Sequence, residues 1–335
     1  MKSPLVKGIL SAFAIIVLLL IAGAWYFSPL LGDMNSQGKP LSIYIDADDT
    51  ADSVMLKVNA PRGWKQLHAI LKAKTRTGHY TISQGDNAID VYRKLQNGIQ
   101  TPVRLTIPQV RTMEQLAGIL SRRIMLDSVE MSTAFSDTAF CSSYGYTKET
   151  LPALFIANTY EVWWNMSLDN FMQRMQRENR IFWTPERSDL ASRIGLTHEQ
   201  VVTLASIVAE ETAYVPEMPK VAGLYLHRLQ LGMPLQADPT VKFALGDFSM
   251  RRIYLHHLQT ESPYNTYLNT GLPPGPIRIP SVKAIDAVLH NEQHGYIYMC
   301  AKEDFSGSHN FARTYAEHLA NARRYTQALN RRGIK

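Results

Sequence analysis

Residues Gly8 to Phe27 read GILSAFAIIVLLLIAGAWYF, a run of twenty residues without a charge. A stretch of that length has one stable form in a bilayer, an α-helix, because each backbone N–H and C=O must be satisfied inside the segment. It divides the 335-residue chain into a lipid-seeking helix and a remainder that folds outside it. Lys2 and Lys7 precede the run, and few charges follow until Asp33. The positive-inside rule therefore puts the N-terminus in the cytoplasm and the bulk of the chain beyond the cytoplasmic membrane. Trp25 and Tyr26 fall where an interfacial aromatic belt is expected. Ala22-Gly23-Ala24 resembles a signal-peptide cleavage site, but the run exceeds a typical signal h-region. The expectation is a retained single-pass anchor, with residues 1–30 as tail and anchor.

The remainder has ordinary globular composition, with 45% hydrophobic residues over the chain. The formal charge of +6 suits an acidic polymer or lipid headgroups, and equally no special partner. There is no arginine-rich run, Gly-rich phosphate loop or zinc-type Cys/His spacing, so nucleic acid and nucleotides are poor partners. No metal and no other cofactor is expected. His309 has His318 as its nearest histidine, and no HExxH helix exists. Cys141 and Cys300 are too few for a disulfide framework and are expected as unpaired thiols.

Ser28 to Pro40 reads as a linker. A small α+β module follows by pattern. Strands are expected at Leu41–Ile45, His79–Ser83 and Val103–Ile107, with helices over Trp64–Lys74 and from an Asp86 cap through Leu95 to Gly98. Thr112 and Gln115 make a capping box for a helix to Ile124. Leu126–Thr150 is expected to be helical in part. Asn158-Thr-Tyr-Glu161 precedes Trp163 and Trp164, which suit either a carbohydrate cleft or interface packing. Ser167 caps the next helix.

The stretch from Thr197 to Thr240 concentrates the chemistry. Thr197 and Gln200 form a capping box, and Val201, Leu204, Ala205 and Val208 make a helical stripe. At about 100° per residue, Glu211 falls roughly 20° from Leu204, while Glu210 falls roughly 120° away on the flank. An acid thus sits where the pattern wants an apolar side chain. Desolvation disfavours its charged form and raises its pKa, which suits a general acid near neutral pH. The alternative is a glutamate turned to solvent at a fraying helix end. Beyond a helix over Met218–Leu231 with Gly232 after it, Gln236–Thr240 reads as a polar loop. Ser262–Tyr267 and Gly271–Ile277 are rigid loops of the kind that often touch substrates. A helix over Ser281–His290, a strand over Tyr296–Ala301 and a last helix over Thr314–Asn330 complete the chain. The fold class is α+β.

These motifs together resemble the YceG-like endolytic murein transglycosylases. The residues that carry the likeness are Ala205-Ser-Ile-Val-Ala-Glu-Glu-Thr212, Gln236 to Val241, Tyr264-Asn-Thr-Tyr267, Gly271 to Ile277, Asn158 to Glu161, and Gly307, His309, Phe311, Thr314, Tyr315, Glu317 and His318. Ala209 stands where many relatives carry a glutamate, and His227 where they carry an asparagine.

The resemblance implies a membrane anchor, a LysM-like module over 38–108 and a catalytic domain over 109–335. It implies an endolytic enzyme of the inner membrane, with its catalytic domain in the periplasm, acting on nascent glycan strands beside a membrane-bound peptidoglycan synthase. Glu211 matches the catalytic acid. Gln236, Asp238, Thr240, Tyr264, Asn265 and Tyr267, and then Tyr160, Glu161 and His309, are candidates for holding the sugar. Two rival readings are a hydrolytic muramidase with Asp238 as second carboxylate, and a non-catalytic peptidoglycan-binding scaffold.

Overall fold

The computed structural model describes residues 4–36, 38–71, 74–250 and 252–333. It divides into two compact units, the first comprising Met1–Leu105, Arg123–Met125 and Glu161–Met166, the second Thr106–Arg122, Leu126–Tyr160 and Ser167–Lys335.

The first unit begins with helix α1 (Pro4–Phe27), which is long and apolar enough to cross a membrane. Strand β1 (Leu41–Ile45), helices α2 (Ala51–Lys57) and α3 (Trp64–Leu71) and strand β2 (Gly78–Ile82) follow. β1 pairs antiparallel with β2, from Leu41 opposite Ile82 to Ile45 opposite Gly78. Helix α4 (Ala88–Asn97) lays Ala88, Val91, Tyr92 and Leu95 into a core shared with Ile43, Ile45, Trp64, Tyr80 and Ile82. Strand β3 (Val103–Thr106) comes next.

Several boundaries differ from the sequence reading. The expected linker is structured. Ser28–Leu31 makes a 3-10 turn whose Leu30 enters this core, and Asn35 Nδ2 donates to the carbonyls of Lys39 and Ile82. Gly and Pro suggested slack where the chain is tied down by a buried side chain. The cap of α4 is Asn87, not Asp86; Asp86 instead accepts from Ser83 N and Lys94 Nζ. α3 is helical to Leu71, and the expected end at Lys74 runs through residues 72 and 73, outside the described ones.

The second unit contains α5 (Met113–Leu120), α6 (Ser128–Ser136), α7 (Thr138–Ser143), β4 (Thr159–Val162), α8 (Leu168–Phe182), α9 (Pro185–Arg193), α10 (His198–Glu211), α11 (Met218–Gln230), α12 (Asp238–Leu245), α13 (Val282–Leu289), β5 (Tyr298–Ala301), β6 (His309–Ala312) and α14 (Tyr315–Arg331), β4 running past Tyr160 into residues of the first unit. α5 stops four residues short of the expected Ile124. Asp127 and Asp137 cap α6 and α7, the helical part of 126–150. Gln236–Thr240 is not wholly loop: α12 starts at Asp238 with Pro239 in its first turn, a position where the missing N–H costs nothing. β5 and β6 pair antiparallel, Ala301 opposite His309.

α10 is the axis of this unit. All eight residues from Val201 to Val208 are buried, so the helix is enclosed rather than striped. It packs against α11 and α13. Ser206, fully buried, donates to the Thr203 carbonyl and accepts from the Ile277 N–H. Both cysteines are free, Cys141 buried and Cys300 half-buried.

Candidate active site

The capping box of Thr197 and Gln200 fixes where α10 begins, and its length then fixes where Glu211 ends it. The two acids at its C-terminal end part company there. Glu210 accepts from Arg111 Nε and Nη2 and from Arg278 Nη1, each at 2.9 Å. Glu211 turns the other way, into a cavity of about 370 Å³. The sequence placed Glu210 on the flank and Glu211 on the inner face; in the structure the two side chains diverge, but because the helix is enclosed both are half-buried.

Six segments converge on that cavity. α11 brings Tyr225 and Arg228, the entry to α12 brings Gln236 and Asp238, the loop before Gly271 brings Tyr267, and β5, β6 and α14 bring Tyr298, Cys300, His309 and His318. Tyr225 donates its hydroxyl to Glu211 Oε1 at 2.7 Å. Burial pushes the Glu211 carboxyl up to about 7. The Tyr225 hydrogen bond and His309 pull it down, while the negative charges of Asp238 and Glu210 push it up. Burial likewise pushes the Tyr225 phenol well above its ordinary range, and the adjacent Glu211 adds to this, so Tyr225 stays a donor.

Asp238 accepts from the Tyr267 hydroxyl at 2.6 Å. Glu217, buried just before α11, accepts from His309 N–H and pairs with His309 Nδ1, both at 2.8 Å. That leaves Nε2 as the ring nitrogen of His309 for a ligand. Arg228 donates to the carbonyls of Pro234 and Ile297 and to Gln236 Oε1. It thereby holds the Gln236 turn, whose φ of +53° is a left-handed conformation that costs a non-glycine residue about 1 kcal/mol or more. Burial and the Arg228 charge keep His318 below the usual imidazole range.

Of the residues singled out from sequence, Glu211, Gln236, Asp238, Tyr267 and His309 line the cavity. Thr240 and Asn265 lie behind it. Thr240 Oγ1 donates to the Ala237 carbonyl, and Asn265 Nδ2 donates to the carbonyls of Leu258 and Thr260. They satisfy buried backbone and so shape the loops that carry Asp238 and Tyr267. Tyr264 packs on Phe243, ring centroids 4.7 Å apart, and burial pushes its phenol up to about 12. Tyr160 donates to the Ile156 carbonyl, and Glu161 is exposed; neither lines the cavity. The Gly271–Pro274 loop lines a separate groove beside the N-terminal end of α10.

Sequence reasoning passed over Tyr225, Arg228, Glu217 and Tyr298. Tyr225 and Arg228 lie on α11 three residues apart, and only that spacing on one helix face hinted at a shared role. Among the described residues no cluster of three or more His, Cys, Asp or Glu side chains is placed to hold a metal ion.

Comparisons with known proteins fit this architecture. A protein from Bacillus subtilis (strain 168) named endolytic murein transglycosylase is 25% identical over 344 residues, spanning 93% of this chain and 92% of the relative. A protein of the same name from Streptococcus pneumoniae is 28% identical over 258 residues, 68% of this chain and 46% of the relative. The chain thus spans about half the length of that pneumococcal protein. A crystal structure of a YceG-like protein from Listeria monocytogenes superposes with a TM-score of 0.57 at 23% identity, covering 84% of this chain and 99% of that one. The family model of the YceG-like family matches residues 43–324, which take in both the α10 acid and the strands that wall its cavity, and the chain belongs to that family.

Proposed function

We propose that this protein is an endolytic lytic transglycosylase of murein, cleaving the β-1,4 bond from N-acetylmuramic acid to N-acetylglucosamine. One observation carries the reading: a single half-buried carboxyl, its pKa pushed to about 7, ends α10 inside a walled cavity. The name of the Bacillus relative, which aligns over nearly its whole length, supports the same reaction.

In the proposed mechanism Glu211 holds its proton at rest. It donates that proton to the glycosidic oxygen as the bond from C1 of the muramic residue breaks, and the N-acetylglucosamine hydroxyl departs. The Glu211 carboxylate then takes the proton of the muramic C6 hydroxyl, and O6 closes on C1 to give a 1,6-anhydro end. No water enters, and Glu211 regains its proton. A glycosidase that uses water ordinarily needs two carboxyls with separate tasks. Here Asp238 is engaged by Tyr267 and serves to orient the sugar and hold the resting proton on Glu211. Tyr225 fixes the rotamer of Glu211, and Gln236 and His309 offer polar atoms to acetamido and hydroxyl groups.

In this reading α1 anchors the enzyme in the cytoplasmic membrane with the N-terminus inside. Residues 109–335 form the catalytic domain, and 38–108, which opens strand–helix–helix–strand and continues into α4 and β3, a LysM-like module. Confinement near newly made strands suits work beside a membrane-bound synthase.

The test is incubation of the full-length protein in detergent, and of Glu211→Gln, with uncrosslinked glycan strands, with the products read by mass spectrometry. Anhydromuramic ends from the parent alone are expected. Reducing ends from the parent would replace this reading with the muramidase, and no cleavage by a folded parent would replace it with the scaffold.

A further inference from the structure

Glu217 stands at the N-cap position of α11, and its side chain caps nothing. An acidic side chain there ordinarily accepts from the free N–H groups of the first turn. Glu217 instead turns both oxygens to one residue 92 positions away: Oε1 accepts from the His309 N–H and Oε2 meets Nδ1, each at 2.8 Å. The backbone bond alone would moor β6; the second oxygen goes to the ring. Further along the same helix, Tyr225 holds Glu211. The start and the middle of α11 thus each fix a side chain of the cavity.

A carboxylate can only accept, so Nδ1 carries the ring hydrogen and the neutral imidazole keeps a lone pair on Nε2. The His309 side chain retains 15% of its surface and lines the Glu211 cavity, and among the described residues Nε2 has no partner. The form of that nitrogen matters to one kind of ligand group. A sugar hydroxyl can turn to serve a donor or an acceptor, so either tautomer suits it. An acetamido N–H can only donate and needs the lone pair. A buried carboxylate behind the ring, fixing the acceptor form, serves the second group and is superfluous for the first.

We infer that Glu217 is a positioning residue, which locks His309 with Nε2 as the acceptor for an acetamido N–H and so gives the Glu211 cavity a preference for N-acetylated sugars. That a glycan enters the cavity rests on the reading given under Proposed function; the place of the ring hydrogen rests on the Glu217 hydrogen bonds. The logic is that of a catalytic triad, in which a buried carboxylate sets the tautomer of its histidine. The lock also keeps Nε2 from offering a hydrogen to the glycosidic oxygen in competition with Glu211. In Glu217→Gln the amide oxygen retains the His309 N–H while the amide nitrogen donates to Nδ1, which moves the ring hydrogen to Nε2.

The experiment uses the full-length protein in detergent. Calorimetry at about pH 8, above the ordinary imidazole range, follows binding of the β-1,4 tetramer of N-acetylglucosamine and of cellotetraose, in which a hydroxyl replaces each acetamido group. Expected is tighter binding of the N-acetylated tetramer by the parent, weakened on the order of tenfold in Glu217→Gln, with cellotetraose binding unchanged. His309→Ala should lose the same preference, and the double variant should bind no more weakly than His309→Ala alone. Histidine-selective nitrogen NMR of the parent, its His309 signals identified by their loss in His309→Ala, should show the proton on Nδ1 and a bare Nε2. That readout stands even where Glu217→Gln does not fold. A proton on Nε2 in the parent, no preference between the tetramers, or losses that add in the double variant would overturn the inference. Strand cutting by a parent without the preference would remove the inference and leave the transglycosylase reading. A Glu217-dependent preference in a folded parent that cuts nothing would uphold the inference and remove that reading instead.

Discussion

The Tyr225 hydroxyl donates to Glu211 Oε1 at 2.7 Å, and this is the hydrogen bond the structure gives that carboxyl. Tyr225 comes from α11, so the bond exists only because α10 and α11 pack together. It favours the carboxylate and opposes the larger effect of burial. Tyr225→Phe is therefore expected to raise the Glu211 pKa above about 7. The alkaline limb of kcat/KM, which follows loss of the acid's proton, should move to higher pH. The rate at pH 6 should fall only several-fold, because the acid is already protonated there. An unmoved alkaline limb would show that another group sets it.

Glu211→Gln should lower strand cleavage by at least about 10²-fold, the scale of general-acid loss. Its stability should respond to pH in the opposite way to its activity. Below about 4.5 the parent's Glu211 is protonated whether folded or not. Between 4.5 and about 7 the folded form keeps a proton that the unfolded form releases, so the parent loses stability as pH rises and levels off above the folded pKa. Glutamine removes that loss. The variant should gain on the parent by roughly 2–3 kcal/mol between pH 4.5 and pH 8, read by denaturant unfolding at both values.

Glu210→Gln should behave differently. It leaves the guanidinium groups of Arg111 and Arg278 without their shared carboxylate. A loss of about 2–3 kcal/mol in unfolding free energy is expected, since the ions are only partly buried, with cleavage per folded molecule within a few-fold of the parent. Loss of cleavage as deep as that of Glu211→Gln would reverse the roles of the two acids.

At Gly223 two general rules oppose each other. Glycine inside a helix costs about 1 kcal/mol relative to alanine, so Gly223→Ala ought to stabilise α11. A Cβ at that position would overlap the Glu292 carbonyl oxygen, and a backbone group has nowhere to go. The clash should win by about 2 kcal/mol or more, with a fall in melting temperature and in cleavage, because Tyr225 and Arg228 ride on the same helix.

How much of this was legible in the sequence depends on how far each partner lies along the chain. Glu211 was legible because helical period and capping box are local, and they separate it from Glu210 without tertiary information. Tyr225 was not, because an aromatic in the apolar pattern of α11 reads as core; its hydroxyl acquires meaning only from a neighbour fourteen residues back. Arg228 reads as a surface cation near a helix C-terminus, yet it is buried under the carbonyls of Pro234 and Ile297. Thr240 and Asn265 read as hands for a sugar because polar side chains in Pro-rich loops look free. Their hydrogen bonds were already taken by backbone, which sequence does not display. The same blindness affected Ser28–Pro40, where small and turn-forming residues disguised an anchored segment.

That segment decides where the chain can be shortened. Leu30 fills the core of the first unit immediately after the last residues of α1, and Arg62 reaches back to donate to the carbonyls of Trp25 and Tyr26. A soluble version begun at Gly32 would remove the apolar run and, with it, a leucine from a filled interior, a vacancy that costs about 2–5 kcal/mol. One begun at Ser28 keeps Leu30 and loses the contacts that the end of α1 makes with α3 and the turn before it: the Trp25 and Tyr26 carbonyls and rings that Arg62 engages, and the Tyr26 hydroxyl that accepts from Gln66. Four residues thus separate a usable soluble fragment from a loosened one, and hydropathy alone would choose the worse start, because the apolar span it marks runs from Lys7 to Leu31 and takes in Ser28 and Leu30.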